Sequence, residues 1–166
     1  MTNDKQLLLK GLSSLSGAPD EQAAYALTLL EPKNGLEVVR SAVTVLEKNP
    51  LPKARGRLRD LYWYYADKNG TRDPAAYTRT VILKAPRQVM GYDDTELVVH
   101  AVSTYEFLPP NFTEEAALLR GTAIVLMAEL DDSLAMYYAT RLMADGYTEP
   151  MSGQPALMAV HVLSSL

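Results

Sequence analysis

Apolar residues along this chain of 166 recur at intervals of three and four, and the intervals break at clusters of Pro and Gly. Such spacing marks amphipathic helices, whereas strict alternation would mark strands. It predicts a short leading helix over 3–15, ended by Gly17-Ala18-Pro19, and a second over 20–30 with Ala23, Ala24, Leu27 and Leu30 on one face. Beyond the turn Glu31-Pro32-Lys33-Asn34-Gly35, a helix capped by Asn34 or Gly35 carries Leu36, Val39, Val43 and Leu46 and breaks at Asn49-Pro50-Leu51-Pro52. The next runs from about 53 to 67, with Ala54, Leu58, Leu61, Tyr62 and Tyr65 facing inward. It stops at Asn69-Gly70, where Gly accepts a left-handed backbone without a steric penalty.

Asp73-Pro74 opens another helix, and Pro86 ends it early. Further helices are predicted over 93–107, 113–130, 132–145 and 155–166. Thr113-Glu114-Glu115 reads as an acidic helix start, which suits the positive end of the helix dipole. No segment alternates as a strand would; Val38-Val39 and Val98-Val99 fall inside helical patterns. The loops are short, which makes sequential helices antiparallel neighbours.

One position recurs. Arg40, Arg79, Arg120 and His161 stand 39, 41 and 41 residues apart, each near the middle of a predicted helix. Six residues before them come Asn34, Asp73, Glu114 and Pro155, and the first three carry a side-chain oxygen that can cap a helix. A fixed period of about 40 residues with two helices per unit is the mark of an α-solenoid. Asn34…Val39-Arg40, Asp73…Thr78-Arg79 and Glu114…Leu119-Arg120 resemble the HEAT repeat, whose second helix begins near an acid and bears an Arg six residues on. The likeness spans 20–166 as about four units; Pro155…Val160-His161 keeps the register with both residues changed. Asp94…Val99-His100 repeats the spacing in a competing phase, so the division into pairs stays open, as do armadillo-like and other solenoids. The resemblance implies a single all-α domain over 1–166, with antiparallel helix pairs stacked as a right-handed superhelix. It also implies a ladder through Arg40, Asp73, Arg79, Glu114 and Arg120, in which an Arg of one unit reaches the capping acid of the next by charge-assisted hydrogen bonds.

Composition adds bounds. The chain has no Cys, which removes disulfides, thiolate catalysis and thiolate metal sites. Three leucines before Lys10 are too few for a signal peptide, no stretch approaches a membrane span, and a cytoplasmic location fits most simply. The net charge of −4 is uneven: residues 53–87 hold nine Lys/Arg against three Asp, while 88–166 hold two Arg against eleven acids.

Candidate chemistry is sparse. His100 and His161 lie in separate helices without further metal ligands at a suitable spacing. The pairs Asp93-Asp94, Glu114-Glu115 and Asp131-Asp132 all fall at helix starts, where capping accounts for them. No phosphate loop, dinucleotide fingerprint or nucleophile elbow occurs. Met136, Tyr137, Tyr138 and Met143 read as helical core. We therefore expect no catalytic residue, cofactor or metal. The sharpest local signal is Lys53-Ala54-Arg55-Gly56-Arg57-Leu58-Arg59, followed by Tyr62-Trp63-Tyr64-Tyr65. On a helix Arg55, Arg59 and Trp63 form one row at steps of four, and Arg72 and Arg79 extend the basic surface. The row reads either as a partner-binding surface, with Arg59 over the Trp63 ring, or as a solvated outer face.

Together these readings lead to a non-enzymatic repeat module for protein–protein interaction or scaffolding. The alternative is nucleic-acid binding through the basic 53–87 band, as in HEAT-like glycosylases of alkylated DNA bases. Helix 155–166 carries Leu157, Val160, Leu163 and Leu166. If that stripe is not buried on its neighbours, either a longer array or a second copy of the chain covers it.

Overall fold

Helical spacing in the sequence becomes helix in three dimensions. The structure, a computed structural model, describes residues 2–166 and all their side chains except those of Thr2, Asn3 and Asn69. Among the described residues it is all-α, with nine α-helices: α1 (Thr2–Ser14), α2 (Pro19–Leu29), α3 (Leu36–Lys48), α4 (Arg55–Ala66), α5 (Tyr77–Lys84), α6 (Thr95–Val102), α7 (Ala117–Leu130), α8 (Asp132–Met143) and α9 (Ala156–Ser165). They gather into two compact units, Met1–Tyr65 with Val81–Met90 and Ala66–Thr80 with Gly91–Leu166.

In the first unit α1, α2 and α3 pack on one another. Helix α3 buries Val38, Val39, Ala42, Val43 and Leu46, an apolar stripe at the helical repeat. Its N-cap is Gly35 at φ +84, while Asn34 donates instead to the carbonyl of Leu29 (3.1 Å). Helix α2 buries Ala23, Ala26 and Leu29; Ala24, expected inside, is exposed. Helix α4 buries the expected row of Leu58, Leu61, Tyr62 and Tyr65, with Ala54 just before it.

In the second unit α7 packs on α6, α8 and α9, and α8 on α9. Helix α8 buries Ala135, Ala139 and Leu142. Met136, Tyr137 and Met143, expected in the core, are instead half or more exposed. Alanines at the seam let helices approach closely, which leaves the large side chains of α8 outside. Helix α9 likewise buries Ala159 and Val162, and leaves Leu157, Val160 and Leu166 nearly half exposed.

The expected helices over 93–107 and 113–130 are both cut short. Helix α6 ends at Val102 and α7 starts at Ala117. Between them lies an antiparallel hairpin, β1 (Phe107–Leu108) with β2 (Thr113–Glu114), in the register Phe107↔Glu114 and Leu108↔Thr113. Pro109-Pro110 is the cause, because a residue before proline is driven out of the helical region into extended backbone. Glu114 thus sits on a strand, yet it still serves the helix that follows: its Oε1 accepts from the Ala116 N–H (2.8 Å).

Buried charge organises this second unit. The Arg79 side chain is 1% exposed and Asp73 not at all. Asp73 accepts from the N–H groups of Thr78 and Arg79 (2.8 and 2.9 Å), capping α5 across a 3₁₀ turn, and from Arg79 Nε (3.2 Å). Arg79 Nη2 also donates to the Asp73 carbonyl (3.0 Å) and to Glu106 Oε1. Arg120, fully buried, meets Glu114 at 2.7 Å and donates to the carbonyls of Thr104 (3.1 Å) and Tyr147 (3.3 Å). The Glu106 N–H donates to Glu114 Oε1 (3.2 Å), so the two clusters form one spine. Each Arg thus meets the acid six residues upstream beside its own helix, where the repeat reading placed the acid of the next unit. Gly70 borders the spine at φ +72, and a Cβ there would strike Glu106 and Arg79.

Two stability predictions follow from the spine. Arg79→Ala leaves Asp73 and Glu106 buried without their counter-ion and should destabilise by about 3–5 kcal/mol in urea titration. Burial raises the Glu106 carboxyl above its ordinary range, with the Asp73 charge adding to the rise and Arg79 opposing it. A carboxyl raised in the folded state favours folding while it is protonated. That contribution is whole below the unfolded value of 4.5 and is lost as pH rises through the folded value. Melting temperature followed upward from pH 4.5 should therefore show a falling component in the wild type that Glu106→Gln removes.

Candidate functional site

The basic and aromatic segment forms α4, and its surface divides by helical angle. Successive residues turn about 100°. Leu58, Leu61, Tyr62 and Tyr65 therefore face the core, and the remaining positions spread over the outer half. One rim of that outer half carries Arg55, Arg59 and Trp63, with Arg59 exposed and Arg55 and Trp63 half-buried. The other rim carries Arg57, Asp60 and Tyr64, all exposed.

A groove lies along the second rim. It holds about 290 Å³ and is lined by Leu30 and Pro32 from the α2–α3 turn and by Arg57, Asp60, Leu61 and Tyr64 of α4. Leu30 and Leu61, each 3% exposed, supply an apolar floor, and Tyr64, 39% exposed, supplies an aromatic wall. The volume is close to the lower end of the ~300–1,000 Å³ range of ligand pockets. Sequence reasoning chose the neighbouring row. The groove row was visible as Arg57, Asp60, Leu61 and Tyr64 at i, i+3, i+4 and i+7, but its other wall comes from Leu30 and Pro32, which no α4 pattern reveals.

The electrostatics of the groove are uneven. Glu31, beside Pro32, is held by Lys33 at 2.6 Å and more loosely by Arg57 at 3.8 Å. The hydrogen bond from Lys33 is the main cause of the lowered Glu31 carboxyl, and the more distant Arg57 charge contributes least. Lys53, Arg55, Arg57 and Arg59 crowd the N-terminal end of α4, and the first turn contains no acid. This arrangement opposes the helix dipole, each exposed charge at a helix end being worth about 0.3–1 kcal/mol.

Other expected surface residues lie elsewhere. Arg72, in the second unit, pairs with Asp67 at 3.2 Å. Arg79 must be removed from the partner-binding set, because a guanidinium 1% exposed and engaged by Asp73 and Glu106 cannot reach a partner. Arg40 is half-buried on α3. His100 is half-buried, and desolvation followed by the Arg79 charge lowers its pKa, whereas His161 is exposed on α9. The second unit has a smaller cleft of about 70 Å³ lined by Val102, Ser103, Tyr105, Tyr138, Arg141 and Leu142. There Arg120 lies 4.1 Å from the Tyr105 ring, and the Tyr105 hydroxyl donates to Asp145 (2.7 Å). Among the described residues no group of three His, Asp or Glu side chains could hold a metal ion, and no helix is long and apolar enough to cross a membrane.

The groove allows a separation of fold from surface. Arg57→Ala and Tyr64→Ala remove exposed atoms and should each shift stability by no more than about 0.5–1 kcal/mol. Leu61→Ala removes buried methyl groups from the floor and should cost about 2–5 kcal/mol. Guanidinium melts of the three variants check the order.

No protein-family model, no curated protein and no solved structure matches this chain.

Proposed function

We propose that this chain is a non-enzymatic helical module that binds another protein, and that the α4 groove of the first unit is where it does so. One observation carries the reading: an open groove of about 290 Å³ combines a buried aliphatic floor with one exposed cation, one exposed anion and one tyrosine on its rim. That mixture matches the make-up of protein interfaces, where aromatic and Arg side chains anchor contacts around an apolar centre. The HEAT-like period agrees with it, since stacked helix pairs commonly offer surfaces of this kind; that support is analogy of fold rather than of site.

Nucleic-acid binding is the competing reading, and the groove disfavours it. A phosphate track needs a run of cations, whereas Asp60 stands on the groove rim between Arg57 and Tyr64 and Glu31 lies alongside. A photo-crosslinking amino acid in place of Tyr64, in cells producing the protein, separates the two. The expected product is a covalent adduct with a polypeptide, lost when Arg57 is also changed to Glu. An adduct with nucleic acid, or none, overturns the proposal.

A further inference from the structure

The charge distribution around the groove indicates what kind of segment fits it, on the footing that the groove is a protein-docking site. We infer that its partner is an acidic segment with an aliphatic anchor: the anchor enters between Leu30, Leu61 and Tyr64, and a carboxylate beside it meets Arg57.

The argument begins with which charges are already engaged. Glu31 is neutralised at close range by Lys33, and its contact with Arg57 is long. Arg57, whose side chain is 54% exposed, therefore retains most of its capacity for a second acceptor. A guanidinium presents its donors as a planar fork that suits a carboxylate through two parallel bonds, so a guest carboxylate gains at Arg57 what Glu31 at 3.8 Å does not supply.

The groove lining sets where a guest carboxylate can sit. Lys53, Arg55 and Arg59 belong to the same segment but do not line the groove, so Arg57 is its one lining cation and the point at which a guest carboxylate is held. Asp60 is the counterweight. It sits one turn on from Arg57 and repels a second acid there, so the guest's acids belong at the Arg57 end and its apolar residue at the Tyr64 end. From Arg57 to Tyr64 is seven residues of helix, roughly 10 Å at 1.5 Å per residue. An anchor and a carboxylate about two helical turns or about three extended residues apart span that distance. A basic residue at that end would meet the Arg57 charge, and a purely apolar guest would leave the Arg57 fork without a carboxylate.

Probe peptides of about a dozen residues, roughly three helical turns, test the inference. The first alternates Asp and Glu around two leucines four apart, the second has alanine for the leucines, and the third has lysine for the acids. A single-stranded oligonucleotide of matching charge is the fourth probe. Trp63, the one tryptophan of the chain, reports on α4 by its fluorescence, and anisotropy of labelled probes gives affinity. The acidic leucine peptide should bind best and lose affinity by roughly tenfold with Arg57→Glu, because an attraction becomes a repulsion. Arg57→Gln should lose less, and the lysine peptide should prefer the Glu variant to the wild type. Circular dichroism of both variants verifies that α4 is intact. Equal binding of the alanine peptide, tighter binding of the lysine peptide or oligonucleotide to the wild type, or affinity unaffected by either substitution overturns the inference. If none of the acidic peptides binds while the Tyr64 crosslink still captures a protein, the partner class falls and the docking role stands. If the crosslink fails as well, both fall.

Discussion

The second unit is arranged around two guanidinium groups that have left water. Moving such an ion into a protein interior costs several kcal/mol even after relaxation, and the loss is recovered only where nearly every donor finds an acceptor. Arg79 finds Asp73 twice, through carboxylate and carbonyl, and then Glu106. Arg120 finds Glu114 and the carbonyls of Thr104 and Tyr147, with Asp145 at 3.9 Å and the Tyr105 ring against its flat face. Several otherwise odd local choices follow from these demands. Position 70 must lack a Cβ. The chain after α6 must present the Thr104 carbonyl and the Glu106 carboxylate inward. The α8–α9 connection must present the Tyr147 carbonyl. The spine holds four carboxylates against two guanidiniums; burial first, and then the Asp73 charge, raise the Glu106 carboxyl against the pull of Arg79.

How much of this the sequence disclosed depends on distance along the chain. The residues of the two pairs, Asp73 with Arg79 and Glu114 with Arg120, were singled out by the repeat period, which assigned each Arg to the acid of the next unit and not to the one six residues before it. Glu106 and Asp145 were not, since each lies some 25 residues from its Arg and no local pattern links them. The hairpin was missed for a related reason. Pro109-Pro110 was read as the end of one helix, and its effect on Leu108, extended backbone pairing with Thr113, depends on the chain returning. Burial was read best where the inner residues are large. The α4 stripe of Leu58, Leu61, Tyr62 and Tyr65 appeared as expected. On α8 and α9 the seam is built from Ala135, Ala139 and Ala159, which carry little hydrophobic signal, so the larger neighbours were assigned to the core in their place.

The same difference between local and distant information decides what could be known of the site. The cations of α4 are consecutive enough to see, but a groove needs a second wall. Leu30 and Pro32 stand on a turn more than twenty residues earlier, and only packing brings them to Arg57 and Tyr64. Without that wall, Arg55, Arg59 and Trp63 look like the more regular row. With it, the row containing Asp60 becomes the interesting one, although an acid among arginines first looks like an interruption.

The two units treat positive charge in opposite ways, and this gives each a different tolerance to change. In the second, Arg79 and Arg120 are internal, each fixed by several acceptors. Replacing either one strands acids where water cannot reach them, so these positions are constrained by folding whatever the protein does. On α4 of the first, Arg57 and Arg59 lie in solvent at the helix end where the dipole disfavours them, and stability would be served as well or better by neutral residues. A fold has no need of cations in that position. Arg57 stands beside an aliphatic floor and an exposed tyrosine, which supports the proposal that the α4 groove, rather than the more elaborate buried spine, is the docking surface.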